Sequence, residues 1–321
     1  MHYTTLGRTE LRVSVAGLGC GGFSRLGLNT GGTEAGAIAI IHAALDLGVN
    51  LLDTAEPYGT EGVVGKAIRC VPRDNVVIAT KASVIRGGER YAPERVVASL
   101  DNSLRELGVD CIDVFQLHAV PPSGYDYVRD AIAPVLLKEK EKGKFRFLGI
   151  TETAPNDLEH QMLLRAIPDG IWDVAMVAFH LMNQNTREAV FPTTLKHRVG
   201  TLLMFAVRSI FARRERVVEA MQELAADGKV PRSLADDPDP LGFLVHPGGA
   251  TSLTDAAYRY VRHEPGVDVV LFGTGDQAHL RSNVESILRP KLPQADTDRL
   301  KQLFSHLRGV GLVAPPRATR A

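Results

Sequence analysis

The chain has 321 residues, 45% apolar and 23% charged, the proportions of a soluble globular protein able to bury a sizeable core. Lysines plus arginines equal aspartates plus glutamates at 37 each, which removes the bulk electrostatic attraction expected for nucleic acid or an anionic membrane surface. No apolar run approaches the roughly 18 residues of a membrane span, and Cys20, Cys70 and Cys111 are too few and too scattered for a disulfide scaffold or a C-x-x-C zinc site, so small-molecule chemistry in the cytoplasm is the expectation.

The polar stretch 1–12 lacks the apolar segment of a secretory signal. Residues 3–6 and 11–14 flank Gly7-Arg8-Thr9-Glu10 and predict a short hairpin, placed to plug one end of a barrel. Residues 13–18 predict the first main strand, which runs into Gly19-Cys20-Gly21-Gly22-Phe23, a loop where backbone approaches a ligand closely. Thr33 caps a helix in which Ile38, Ile41 and Leu45 recur at helical spacing until Gly48. Residues 49–52 form the second strand and end in Asp53, with Tyr58 in the Pro/Gly turn that follows.

Val63, Val64, Ala67 and Ile68 mark the second helix, 75–80 the third strand ending at Lys81, 93–107 the third helix, and 112–117 the fourth strand ending at His118. Helix 134–142 has Pro134 in its first turn and stops at Gly143. Strand 147–151, helix 155–167, strand 174–179 and strand 201–205 come next. Residues 206–250 break the regularity: a basic helix at 212–226 precedes a Pro/Gly/Asp-rich stretch, 236–249, that reads as a long loop serving as a lid. Helix 254–262, an eighth strand at 267–272, helix 277–287 and a terminal helix at 298–307 complete the pattern, with a Pro/Arg-rich tail, 314–321, expected to be disordered. Roughly eight βα units place the chain in the α/β class as one (β/α)8 TIM-barrel domain over residues 1–321, with an N-terminal β-hairpin and a long loop after strand 7.

Barrel enzymes carry their sites at the C-terminal ends of the strands, which puts Asp53, Lys81 and His118 side by side at one rim. An aspartate beside a lysine keeps the ammonium charged, and that cation is expected to lower the pKa of Tyr58 from its ordinary ~10 and make it an efficient proton donor. His118 adds a hydrogen bond that orients a carbonyl. One proton delivered to an alkoxide matches hydride transfer to an aldehyde or ketone, or its reverse, and the hydride must come from a nicotinamide because no side chain supplies one. Each residue alone has a structural explanation; their joint order favours catalysis. Glu56 reads as a solvated loop carboxylate, Arg213-Arg214-Glu215-Arg216 as a solvated helix face, Trp172 and Phe179 as core, and His42, His160 and His306 as helix residues without a role.

The motifs in which these residues stand resemble the aldo-keto reductase superfamily. They are Tyr-x-x-Leu-Gly-Arg-Thr-x-Leu-x-Val-Ser at 3–14, Gly17-Leu18-Gly19, Asp53-Thr54-Ala55-Glu56-Pro57-Tyr58-Gly59, Ala79-Thr80-Lys81, Gln116-Leu117-His118, Gly143-Lys144-Phe145-Arg146 and, more thinly, Trp172-Asp173-Val174 and 273–283. The resemblance implies a cytosolic (β/α)8 oxidoreductase using NADP(H), less often NAD(H), with Tyr58 as acid/base, Lys81 and Asp53 tuning it and His118 aligning the substrate. It implies cofactor contacts at Gly21, Gly22, Phe23, Asp53, Thr151, Glu152, Met176, Met204, Phe205, Ala206, Gly273, Thr274, His279 and Asn283. No metal site is expected.

Several positions depart from the family pattern. Thr151-Glu152 stands where Ser-Asn commonly holds the carboxamide, Met176 where a glutamine is usual, Met204 where an aromatic often stacks, and Phe205-Ala206-Val207 where Ser-Pro-Leu lines the pyrophosphate. Gly275 and His279 occupy positions that often carry Arg or Lys for a 2′-phosphate, which leaves NADP(H) and NAD(H) both open, with Arg208 or Arg281 as substitutes. The expected substrate is an aldehyde, ketone or sugar hemiacetal. The rival reading is a cofactor-loaded regulatory or scaffold protein similar to potassium-channel β subunits, and a metal-dependent barrel hydrolase ranks last because only His118 and Asp53 stand where ligands would converge. Monomer and homo-oligomer remain open.

Overall fold

A computed structural model describes residues 1–211 and 213–312, so the tail at 314–321 lies outside the described residues. Eight predominantly apolar runs form the strands β1 (Ala16–Gly19), β2 (Leu51–Asp53), β3 (Val77–Ser83), β4 (Ile112–Val120), β5 (Phe145–Glu152), β6 (Val174–Ala178), β7 (Gly200–Met204) and β8 (Val269–Phe272). Each pairs in parallel with its neighbours in chain order, and β8 closes on β1, giving the expected (β/α)8 barrel.

Because successive strand residues face opposite sides, the two sides of each strand can be read off the packing. Leu51, Val77, Ala79, Val114, Val174, Met176, Leu202 and Val269 fill the interior. Leu18, Leu52, Ile78, Phe115, Leu148, Ile150, Val177, Leu203 and Val270 belong to the layer shared with the helices. Those helices include α1 (Glu34–Asp46), α2 (Glu61–Ile68), α3 (Pro93–Leu107), α4 (Ala133–Glu141), α5 (Gln161–Ala166), α6 (Phe191–His197), α7 (Arg214–Ala226), α8 (Leu253–Arg262), α9 (Gln277–Leu288) and α10 (Gln294–Phe304). Thr33 caps α1 as predicted, accepting the Gly36 N–H.

The predicted hairpin pairs Tyr3–Thr5 with Arg12–Ser14, and its Leu6, Leu11 and Val13 join the interior cluster. Gly7, at φ +52, sits so close to β7 that an added Cβ would lie 2.2 Å from the Gly200 nitrogen, so no other residue fits. Arg8 fastens the turn to the segment before β6, donating to Asp173 at 3.0 Å and to the carbonyls of Gly170 and Trp172 at 2.9 and 2.8 Å.

Four differences from the sequence reading have local causes. The predicted strand 13–18 divides into Arg12–Ser14 of the hairpin and β1, because Ser14 exchanges backbone-to-side-chain bonds with Asn50 and turns the chain into the barrel. The helix predicted at 134–142 belongs to a longer helical run from Tyr125 that includes a π turn at Val128–Ile132, just before Pro134, where the proline lacks an N–H for regular α pairing. The helix predicted at 155–167 shortens to α5, because the Asp157 carboxylate accepts the N–H groups of Gln161 and Met162 and starts the helix there. The stretch at 236–249, read as a loop, follows a helical turn at Arg232–Ala235 and buries Leu241 and Leu244 in the outer core, so much of it is packed shell.

Candidate active site

Parallel strands bring their C-terminal ends to one rim, and the register places Asp53 beside Ala79, Lys81 beside Gln116 and Ser83 beside His118. Lys81 continues the inward row of Val77 and Ala79 and is fully buried. Its Nζ donates to Asp53 Oδ2 at 2.7 Å and to the Thr54 carbonyl at 2.8 Å. Gln116, two residues beyond the inward Val114, donates Nε2 to the other Asp53 oxygen at 3.4 Å. From β1 the Cys20 N–H donates to the Asp53 carbonyl at 2.7 Å.

Tyr58 arrives on the helical turn Glu56–Tyr58, which ends at Gly59 with φ +67. Its ring centroid lies 5.1 Å from Lys81 Nζ, its edge meets the His118 ring at a centroid distance of 5.5 Å, and its hydroxyl is 3.4 Å from His118 Nε2. Gly21 backs the ring: a Cβ there would stand 2.4 Å from Tyr58 Cε2. His118 precedes an irregularity in the β4–β5 pairing where Ala119 adopts φ +53 and donates its N–H to Thr151 Oγ1 at 2.6 Å, a bulge that re-aims the end of the strand.

Burial sets the charge states. It lifts the Tyr58 phenol above its ordinary pKa, and Lys81 offsets only part of the rise; this corrects the expectation of a net lowering, and the group is a protonated phenol at neutral pH. Burial opposes charge on Lys81, but Asp53 and Tyr58 outweigh it and hold the ammonium above its usual value. His118 is pushed down to about 3 by burial and then by Lys81, so its imidazole is neutral. The Cys20 thiol is pushed up, first by burial and then by Asp53, which leaves it unreactive. A loaded acid, a neutral hydrogen-bonding imidazole and a fixed cation thus share one half of the rim.

The residues expected to grip a nicotinamide occupy the other half, and not all face the mouth. Thr151 Oγ1 is taken up by the Ala119 N–H, and Met176 is buried in the barrel interior. Glu152 turns into the protein: Oε1 accepts the Ala178 N–H at 2.7 Å and Oε2 meets His160 Nδ1 at 2.6 Å. The expectation of a carboxylate presented at the carboxamide position is therefore corrected. Met204 and Phe205 pack with Ala154, Ala178 and Leu312, and Phe205 is held at φ +72, a strained value for an aromatic residue. Ala206 is buried behind them. Gly273 and Thr274 follow β8; Thr274 Oγ1 accepts the Asp276 N–H, and Asp276 caps α9 through the His279 N–H. The His279 side chain is exposed and Asn283 lies one turn further along α9. Gly275 abuts Gly27, where a Cβ would meet Gly27 Cα at 2.4 Å, so the loop after β1 lies on the loop after β8.

The description of the aldo/keto reductase family matches residues 17–304. The chain belongs to the aldo/keto reductase family. As such it is an oxidoreductase of the family that uses NAD(P)H on carbonyl compounds. It is 34% identical over 204 residues to L-galactose dehydrogenase of Arabidopsis thaliana, a match spanning 61% of this chain and 62% of that protein. It is 28% identical over 305 residues to aldo-keto reductase YhdN of Bacillus subtilis, spanning 88% and 87%. The solved holo form of aldo-keto reductase AKR11C1 from Bacillus halodurans superposes with a TM-score of 0.70 at 22% identity, covering 99% of both chains, which supports the fold.

The rim of this family member fits a dinucleotide in its chemistry. A Cβ on Gly22, at φ +70, would meet nothing within 4 Å, and Phe23 beside it is 85% exposed, so backbone and an aromatic face are open to a ligand. Arg208 has no carboxylate within ion-pair distance among the described residues; it donates to the Gly311 and Leu312 carbonyls at 2.9 and 2.8 Å and lies 4.2 Å over the Phe205 ring. Such an uncompensated guanidinium suits a phosphate. No set of three or more His, Cys, Asp or Glu side chains that could hold a metal ion occurs among the described residues, and no helix there is long and apolar enough to cross a membrane.

No individual role follows from the sequence for Gln116, Thr54, His160 or Thr186. Gln116 had a signal, standing two residues before His118 on the same strand face. His160, set aside as a helix residue, is instead the buried residue before α5, at φ +53, bonded to Glu152; its aspartate-capped neighbourhood, not a hydrophobic period, was the available clue.

Proposed function

We propose that the protein is an NAD(P)-dependent oxidoreductase of an aldehyde, ketone or sugar hemiacetal in which Tyr58 gives the proton in reduction and takes it back in oxidation. The observation that carries this reading is the Tyr58 hydroxyl 3.4 Å from His118 Nε2, above Lys81, whose Nζ is held 2.7 Å from Asp53. Bound nicotinamide supplies or accepts the hydride. Gly21, Gly22 and Phe23, the Phe205 region, Gly273 and Thr274 are the residues that would hold it, with Arg208 for a phosphate; both NADP(H) and NAD(H) are compatible with that set.

His118, neutral, offers a hydrogen bond to the substrate oxygen without bringing a second positive charge into the site. As negative charge grows on that oxygen, Tyr58 releases its proton to it, and Lys81 stabilises the phenolate left behind. Asp53 and the Thr54 carbonyl keep the ammonium charged and in place, and Gln116 holds the second Asp53 oxygen. The similarity to L-galactose dehydrogenase favours a sugar hemiacetal as substrate class.

The test is a single turnover. Protein loaded with NADPH or NADH is mixed with aldoses, aromatic aldehydes and quinones while the reduced-nicotinamide absorbance band is followed. Loss of the band with at least one carbonyl is expected; tight cofactor binding without oxidation by any of them would favour the regulatory reading instead.

A further inference from the structure

The inward turn of Glu152 belongs to a closed set of bonds that ties the ends of β5 and β6 together. Glu152 Oε1 accepts the Ala178 N–H at 2.7 Å, while Thr186 Oγ1 donates to the Ala178 carbonyl at 2.6 Å, so both polar backbone groups of the last β6 residue are engaged. His160 joins the two side chains, with Nδ1 2.6 Å from Glu152 Oε2 and Nε2 3.1 Å from Thr186 Oγ1. All four residues are buried. Thr186 has one hydroxyl hydrogen and spends it on the Ala178 carbonyl, so the contact with Nε2 requires an N–H from the ring; Nδ1 likewise gives its hydrogen to the carboxylate. The ring is an imidazolium held against a carboxylate: burial would discharge it, but Glu152, together with Asn185 and Asp157, outweighs burial and raises its pKa.

The position of this clamp matters for function. Tyr58, Lys81 and His118 occupy the ends and loops of β2, β3 and β4, and the clamp braces the wall across the mouth. Ala178 is packed against Met204 and Phe205, the residues at the end of β7. The clamp thus sets the wall against which a planar ring would rest while its substrate reaches Tyr58. Resting on the dinucleotide reading above, we propose that His160 is a positioning residue for the nicotinamide end of the cofactor, acting through Glu152, Thr186 and Ala178 rather than by touching the ligand. Glu152, which departs from the usual polar set, then has an explanation: it braces an apolar wall instead of presenting a side chain to the ligand.

The test compares two probes, the reduced dinucleotide that the wild type binds and ADP-ribose, which keeps the phosphates and adenosine but lacks the nicotinamide. In His160→Gln the affinity for the reduced dinucleotide, read by fluorescence titration, is expected to fall about tenfold because a buried carboxylate and hydroxyl lose a partner, with ADP-ribose unchanged within about twofold. Glu152→Gln keeps an acceptor for the Ala178 N–H and removes the charge pair, so it serves as the milder variant if His160→Gln does not fold, with a loss of the same selectivity expected.

A pH series gives a readout that a purely structural residue would not move. The groups facing the imidazole are Glu152 from β5, Asp157 from the loop before α5, and the uncharged Asn185 and Thr186. The raised pKa means that the clamp is complete below the ordinary histidine value and is lost as pH rises through the raised folded-state value. Wild-type affinity for the reduced dinucleotide should therefore weaken relative to ADP-ribose on the alkaline side, and that differential should vanish in His160→Gln. Equal loss on both probes, or no loss on either, would overturn the proposal; a wild type that binds neither probe would instead remove the dinucleotide reading itself.

Discussion

His118 stands within reach of Tyr58 yet carries no charge, because burial and the Lys81 ammonium together push its pKa to about 3. The folded state therefore refuses a proton that the unfolded chain takes up near the ordinary pKa of about 6.5, and stability is lost as pH falls from that value toward the folded one. For catalysis the consequence is an absence of titration: reduction measured as kcat/KM should show no limb from this histidine between about pH 5 and 8. A His118-dependent limb near neutrality, abolished in His118→Gln, would contradict the neutral assignment. The four catalytic candidates were legible because three of them end apolar strand runs, where alternation forces the next inward residue into the mouth, and the fourth stands in the turn just beyond. Glu152 stands outside that row: Leu148 and Ile150 of the same strand face the helices, so alternation turns Glu152 to that side too, where it meets His160, eight residues on and held in a left-handed backbone conformation.

At the scale of elements, the glycine-rich loop after β1 does more than leave room for a ligand. Gly21 is the surface on which the Tyr58 ring rests, and a methyl group 2.4 Å from the ring forces the tyrosine to move. Gly21→Ala should leave the melting temperature within a few degrees of wild type while lowering kcat/KM for reduction at least about tenfold, the effect of misplacing a proton donor by a fraction of an ångström to an ångström. An alanine variant with full activity would show that the ring is not held there. The strands were readable from sequence because each buries both faces, whereas several helix boundaries were not. The longer run that begins at Tyr125 passes through Pro134 by way of a π turn, and α5 begins where Asp157 can reach two free N–H groups, not where the hydrophobic pattern begins. In both cases one side-chain or ring constraint overrides a pattern summed over many residues.

Across the whole molecule the two ends of the barrel have separate tasks. The C-terminal rim carries Asp53, Tyr58, Lys81 and His118, while the N-terminal end is sealed by Leu6, Leu11 and Val13 of the hairpin and pinned by Arg8. Truncating Leu6, which is fully buried against β7 near Gly200, should cost about 2–5 kcal/mol in denaturant unfolding and leave kcat/KM within about twofold. A Leu6→Ala protein with wild-type stability would mean that the hairpin is not part of the cooperative core. Barrel closure was visible in the count of alternating units, but the packing of Leu241 and Leu244 into the shell was not, because a Pro/Gly/Asp-rich segment gives no period from which to place two isolated leucines. Both ends exist to hold one constellation still, and its chemistry can be isolated by a single oxygen atom. Tyr58→Phe removes the proton and leaves the ring against Gly21 and His118: with wild-type affinity for the reduced cofactor kept within about twofold, kcat/KM for carbonyl reduction should fall about 10²–10⁴-fold, and a variant that reduces the same carbonyl at the wild-type rate would show that the proton comes from elsewhere.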